Sequence, residues 1–199
     1  MCAAPGPRRQ PALIDAARDA GVSRFVYVSL SGLVNGRSPL ERETDAVERH
    51  LRTSGFACTI LRPTFVMNTW LSPIAGFDLA ARRVRLYGSG DERVGWIAAE
   101  DVADVAVACL EASVAGETLD LCGPDRLSPL EIVELAEQIG GRSIEVERVP
   151  MDVLEQQADE TFAALLIRLA GGVTMTAAPL SPHLPQPRTP VRHFLRRAL

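Results

Sequence analysis

Apolar and polar positions along the chain alternate between two periods. Leu13, Ile14, Ala16, Ala17 and Ala20 recur at helical spacing between Pro11 and Gly21, the proline-at-start, glycine-past-end signature of a helix over 11–20. Phe25 to Val28 form an apolar, β-branched and aromatic run, too short for a helix and suited to a buried parallel strand. The run empties into Ser29, Leu30, Ser31 and Gly32, and the carboxyl end of such a strand is where open α/β sheets hold ligands. Leu40, Thr44, Val47 and Leu51 then share one helical face. Ser38-Pro39-Leu40-Glu41 reads as the capping box of that helix and Gly55 as its end. Phe56 to Leu61 is the next strand, so helix and strand alternate as in a doubly wound sheet.

The second strand leads into Arg62-Pro63-Thr64-Phe65-Val66-Met67-Asn68. Proline there is expected to stop the ladder, Phe65 and Met67 offer an apolar wall, and Thr64 and Asn68 offer hydrogen bonds. The stretch reads either as a binding loop or as a structural turn. Residues 69–83 have a helical pattern, and Val84 to Tyr87 that of a strand. Gly88-Ser89-Gly90-Asp91 is no dinucleotide fingerprint, because Val94 to Ile97 reads as a strand and a phosphate-cradling loop must open a helix. Glu100 to Ala112 reads as a helix with an acidic first turn and an apolar face of Val102, Ala103, Ala106, Val107 and Leu110. Asp101 and Asp104 lie on its other face and read as solvated carboxylates rather than an acid–base pair. A strand over Thr118 to Cys122 and a turn at Gly123-Pro124-Asp125 follow. Ser128-Pro129-Leu130-Glu131 is a second capping box, opening a helix that runs through Ile139 to Gly140-Gly141. Ile144 to Val149 is a further strand, and 151–171 hold one or two small helices. The five prolines of 177–190 require extended chain before an amphipathic end at 191–199.

Composition narrows the function classes. The net charge of −4 leaves no electrostatic footprint for nucleic acid. No run approaches the roughly 18 apolar residues of a membrane span, and the first residues lack the apolar core of a signal peptide. A cytoplasmic setting is expected. Cys2, Cys58, Cys109 and Cys122 are too dispersed for a metal site or a disulfide framework. All 21 basic residues are arginine, so lysine-dependent chemistry is excluded.

Six separated stretches resemble a known family: Ala12 to Ser29, Ser38-Pro-Leu-Glu-Arg-Glu43, Thr59 to Asn68, Glu100-Asp-Val-Ala-Asp-Val-Ala106, Leu121 to Glu131, and Pro190-Val-Arg-His-Phe-Leu-Arg-Arg197. In this order they are similar to the NmrA-like atypical short-chain dehydrogenases. The resemblance implies an α/β fold: a partial doubly wound, Rossmann-like parallel sheet without the family's first strands, followed by a small, mostly helical substrate-binding region. The implied organisation is an irregular 1–10, the later half of an NAD(P)-binding domain over 11–122, and a smaller region over 123–199.

The family's Gly-x-x-Gly-x-x-Gly turn, which holds the cofactor pyrophosphate, does not occur in these 199 residues. The dehydrogenase Tyr-x-x-x-Lys pair would fall near Leu40 and Thr44, and neither residue type is there. Relatives lacking that pair include type-2 quinone reductases and regulators that bind the dinucleotide without turning it over. The resemblance therefore implies an NAD(P)H-dependent reductase of quinones or small carbonyl compounds, or a truncated descendant of one. The alternatives are a non-catalytic dinucleotide-sensing regulator and an inactive remnant. It places Ser29, Leu30, Pro63, Thr64, Phe65, Met67 and Asn68 around the nicotinamide end of NAD or NADP, and no catalytic acid is assigned. Cofactor binding is expected to be weak or lost, the partner a small molecule, and the edge of the first strand a route to self-association.

Overall fold

The computed structural model describes residues 9–32, 39–111, 114–153, 160–171 and 180–199, with the side chains of 160–162 excepted. The capping box expected at Ser38 lies outside them. The chain divides into two compact units: residues 1–63, 102–121 and 177–186 form the first, and 64–101, 122–176 and 187–199 the second.

The first unit is built on a three-stranded parallel sheet. Strand β1 (Arg24–Val28) pairs with β2 (Ala57–Pro63), and β2 pairs with a later strand at Thr118–Leu121, as the alternating pattern predicts. Helices α1 (Gln10–Asp19) and α2 (Pro39–Thr53) cover one face. Ile14, Val47 and Leu51 pack there with Phe25, Tyr27, Cys58 and Ile60. Residues two apart on a strand share a face, so Tyr27 and Ser29 project toward the same side, as do Ile60 and Arg62.

One detail of β2 departs from the sequence reading. The ladder continues through Pro63, which is in register with Leu121, and the Pro63 carbonyl accepts from Ser31 N at 3.2 Å. Proline removes only a donor, so its carbonyl still serves the ladder on the side that needs an acceptor.

The second unit contains two small sheets. Strand β3 (Phe65–Val66) lies parallel to β6 (Val94–Ile97). Strand β4 (Phe77–Asp78) lies antiparallel to β5 (Arg83–Tyr87). The strand at Thr118–Leu121 of the first unit is β7. It is followed by β8 (Arg126–Leu127), antiparallel to β6, and β9 (Glu145–Val149), parallel to β5. Helices α3 (Met67–Trp70), α5 (Pro129–Gly140), α6 (Glu160–Ala170) and α7 (Val191–Ala198) belong to this unit. Helix α4 is Ala99–Glu111, of which residues 102–111 are assigned to the first unit. The core of the second unit gathers Met67, Phe77, Trp96, Ile132, Leu166 and Leu195.

The helix expected over 69–83 is replaced by α3, a 3-10 turn at Pro73–Ala75 and β4. Pro73 interrupts the helical ladder, and Gly76 turns the chain with a left-handed φ of 92°. A Cβ at Gly76 would sit 2.7 Å from the Arg85 carbonyl oxygen, so this turn also needs glycine for close approach. On α4, Val102, Val105, Ala106 and Cys109 are the buried positions, while Val107 and Leu110 are exposed. The apolar stripe is thus rotated from the one read in the sequence, where every position of an alanine- and valine-rich helix looks equally apolar. No described helix is long and apolar enough to cross a membrane.

Candidate functional site

The carboxyl end of the parallel sheet in the first unit carries a buried charged cluster. Glu48, on α2, lies on the stripe that also holds Thr44, Val47 and Leu51, and its side chain is fully buried. Its Oε1 accepts from Ser29 Oγ at 2.6 Å and from Arg62 Nε at 3.0 Å. Its Oε2 accepts from Arg62 Nη2 at 2.6 Å and from Arg52 Nη2 at 2.9 Å. Arg52 also donates to Thr118 Oγ1 at 3.2 Å. A carboxylate offers about four acceptor positions, and all four are used here. Burial alone would push the Glu48 carboxyl up, but the Arg62 fork, the Ser29 hydroxyl and Arg52 outweigh it and hold the group below the usual carboxylate range. The same charge acts on Tyr27: burial first, and Glu48 second, push its phenol up to about 12. Arg62 stands in register with Asp120, whose nearby charge helps hold the guanidinium protonated, after Glu48 itself.

The resemblance places the dehydrogenase tyrosine and lysine near Leu40 and Thr44. Leu40 and Thr44 are both buried, and Thr44 Oγ1 donates to the Leu40 carbonyl at 2.8 Å.

The predicted residues divide between the units. In the first, Ser29 directly follows β1 and is buried, with its amide donating to the Leu61 carbonyl at 2.7 Å. Leu30 is half-buried and Pro63 closes β2. In the second, Phe65 packs edge-on to Trp70 with ring centres 5.3 Å apart and tilted against Trp96, and Met67 is fully buried among the core residues. Asn68 is exposed, and its Oδ1 accepts from Ala99 N at 2.9 Å, at the start of α4. Thr64 Oγ1 is buried, and the polar group that acts with it is the Cys122 thiol. The Cys122 thiol is close by: a Cβ added at Gly95 would meet both Cys122 Sγ and the Thr64 side chain. Burial pushes that thiol up, so it is a neutral neighbour rather than a nucleophile.

Sequence reading passed over Glu48, Arg62 and Arg52. The signal was present: position 48 follows Thr44 by one helical turn and precedes Leu51 by three, so a carboxylate sat on an apolar stripe. Arg62 likewise continues the inward parity of Cys58 and Ile60. Asp101 also proves to be engaged, accepting from the amides of Arg188 and Thr189 and from Thr189 Oγ1. In the second unit, a groove of about 390 Å³ over the small sheet is lined in part by Arg83, Arg85, Glu145 and Glu147. Both guanidiniums are paired with those glutamates. Among the described residues, no cluster of His, Cys, Asp or Glu could hold a metal ion.

The sequence profile of the NmrA-like family matches residues 7–174. The chain belongs to the NmrA-like family. Among its relatives is an NAD(P)H azoreductase of Xenophilus azovorans, 29% identical over 153 residues, which cover 73% of this chain and 51% of that protein. A photosystem II assembly factor, Ycf39 of Guillardia theta, is 27% identical over 145 residues, covering 72% and 46%. The chain thus spans about half the length of these relatives. Among solved structures, an Escherichia coli NADPH-dependent quinone oxidoreductase complexed with NADPH superimposes with a TM-score of 0.74 at 20% identity, over 99% of this chain and 74% of that one. That likeness is one of fold, and it identifies the parallel sheet as Rossmann-like.

Proposed function

We propose that the protein is an NAD(P)H-dependent reductase of quinones or small carbonyl compounds that works without a tyrosine–lysine acid. The observation that carries this reading is the burial of Leu40 and Thr44 beside an intact polar cluster at the carboxyl end of the sheet. The azoreductase and quinone oxidoreductase among the similar proteins support the same chemistry. Ser29, Leu30, Pro63, Thr64, Phe65, Met67 and Asn68 are the residues assigned to the nicotinamide end. Thr64 would contribute to that loop through its hydroxyl, which is buried beside the Cys122 thiol. Phe65 and Met67 support the loop from the core.

The reduced dinucleotide, when bound, supplies a hydride, that is one proton with two electrons. A quinone that accepts it becomes a hydroquinone anion and takes its second proton from water, so no protein acid is required. A carbonyl lacking that charge delocalisation would gain less from this arrangement.

A second reading, a dinucleotide-sensing regulator, is favoured by the saturation of Glu48, which leaves that carboxylate no capacity for proton transfer. The discriminating experiment follows NADPH oxidation by the purified chain with and without a naphthoquinone, alongside calorimetric titration with NADPH. Quinone-dependent oxidation is expected, with a weak cofactor affinity because the 199 residues contain no glycine triplet for the pyrophosphate. Binding without turnover would favour the regulator. Micromolar affinity would overturn the expectation of weak binding.

A further inference from the structure

We propose that Glu48 is a positioning residue that fixes Ser29 as an acceptor-only group, so that the substrate read at Ser29 must bring its own N–H or O–H. The inference rests on the reductase reading and names its substrate class: quinones or carbonyl compounds bearing an amino or hydroxyl substituent.

A serine hydroxyl has one hydrogen and two lone pairs. The hydrogen of Ser29 is committed, because Oγ lies 2.6 Å from Glu48 Oε1, a carboxylate with no proton to give back. The commitment is strong for a structural reason. Glu48 is a fully buried anion, held by a two-pronged Arg62 contact and by Arg52. An ionised acceptor shortens and strengthens the bond it receives, and a low local dielectric strengthens it further. Rotating the Ser29 hydrogen toward a ligand would strip a buried carboxylate of one of its four donors, which costs more than a hydrogen bond to the ligand returns. Ser29 is therefore not a donor to a substrate oxyanion, although its place just past the end of β1, at the ligand end of a parallel sheet, would suggest that role. What it can present is lone pairs. A ligand carrying a second acceptor at that spot leaves both oxygens without a hydrogen between them and is rejected, whereas a ligand N–H or O–H is accepted.

Glu48→Gln makes the reversal testable. Arg62 Nη2 and Arg52 Nη2 claim the remaining carbonyl oxygen, which turns the amide nitrogen toward Ser29 and leaves Arg62 Nε without its acceptor. Ser29 then receives a hydrogen bond from its partner, and its own hydrogen is released outward.

The experiment compares kcat/KM of the full chain with NADPH and two probes, an aminonaphthoquinone and the similarly sized methylnaphthoquinone. The ratio between the probes cancels any general loss of stability or cofactor affinity. The expected result is an amino-over-methyl ratio that falls about tenfold in Ser29→Ala, the worth of one hydrogen bond of ordinary strength. In Glu48→Gln the ratio should fall below that of Ser29→Ala. If Glu48→Gln does not fold, Ser29→Ala decides alone, because it leaves both guanidiniums on Glu48. Wild-type turnover with a ratio unchanged in Ser29→Ala would overturn the inference while leaving the reductase reading in place. No wild-type turnover of either quinone would remove the reductase reading, and the inference with it.

Discussion

Glu48 has every acceptor position filled, which is the condition under which a buried charge can be tolerated. Because its folded-state value lies below the ordinary 4.5, its contribution to stability is fully present above that value and is lost as pH falls through the folded value. Denaturant midpoints recorded between about pH 3 and pH 7 should therefore decline on the acid side in the wild type. Glu48→Ala should be less stable near neutrality by about 3 kcal/mol, at the low end for breaking a buried pair because Arg52 and Arg62 keep some contact with solvent. Its acid decline should be shallower, and an unchanged profile would show that the cluster contributes nothing to the folded state. Tyr27 behaves in the opposite direction. Its phenol is raised from 10.0 to about 12, so the neutral form is favoured by folding, and that stability is present below the unfolded value and lost as pH rises toward the folded one. Spectrophotometric titration should find one of the two tyrosines ionising late, and Tyr27→Phe should abolish the late step.

Among the elements, α5 has a start that is decided locally. Ser128 Oγ accepts from Glu131 N at 3.1 Å, and Glu131 Oε2 accepts from Ser128 N at 2.8 Å, with Pro129 at the first helical position and Gly141 closing the helix in a left-handed conformation. Ser128→Ala should cost about 1 kcal/mol in urea denaturation, and a neutral result would mean that tertiary packing alone holds the helix start. Helix α2 shows the contrary balance. Its apolar stripe of Leu40, Val47 and Leu51 was legible from spacing, but the meaning of Glu48 on that stripe depends on Ser29 and Arg62, which arrive from two neighbouring strands.

For the molecule as a whole, the consequential feature is the edge of the first unit's sheet. Among the described residues, β1 is paired only with β2, and its Phe25, Val26 and Tyr27 are buried. Strand edges beside apolar faces recruit further strands. The 199-residue chain is accordingly expected to associate, with a scattering mass that rises with protein concentration. A monomeric mass at every concentration would show that this edge is protected.

What the sequence by itself determined was the set of local periods. The order β1, α2, β2 and the parallel placement of Thr118–Leu121 follow from short apolar runs alternating with amphipathic helices, because each such element must bury its apolar side. The absence of lysine from the whole chain was also legible, whatever the surroundings. Tertiary structure alone decided the rest. Continuation of β2 through Pro63 depends on which neighbour needs an acceptor there. The segment after Trp70 ends in a strand, β4, because β5 offers it an antiparallel partner, β5 being itself paired with β9, 62 residues away. The charge cluster is likewise a product of register. A helix turn puts Glu48 inside, strand parity puts Ser29 and Arg62 inside, and only the pairing of β1 with β2 brings those two rows under the same carboxylate.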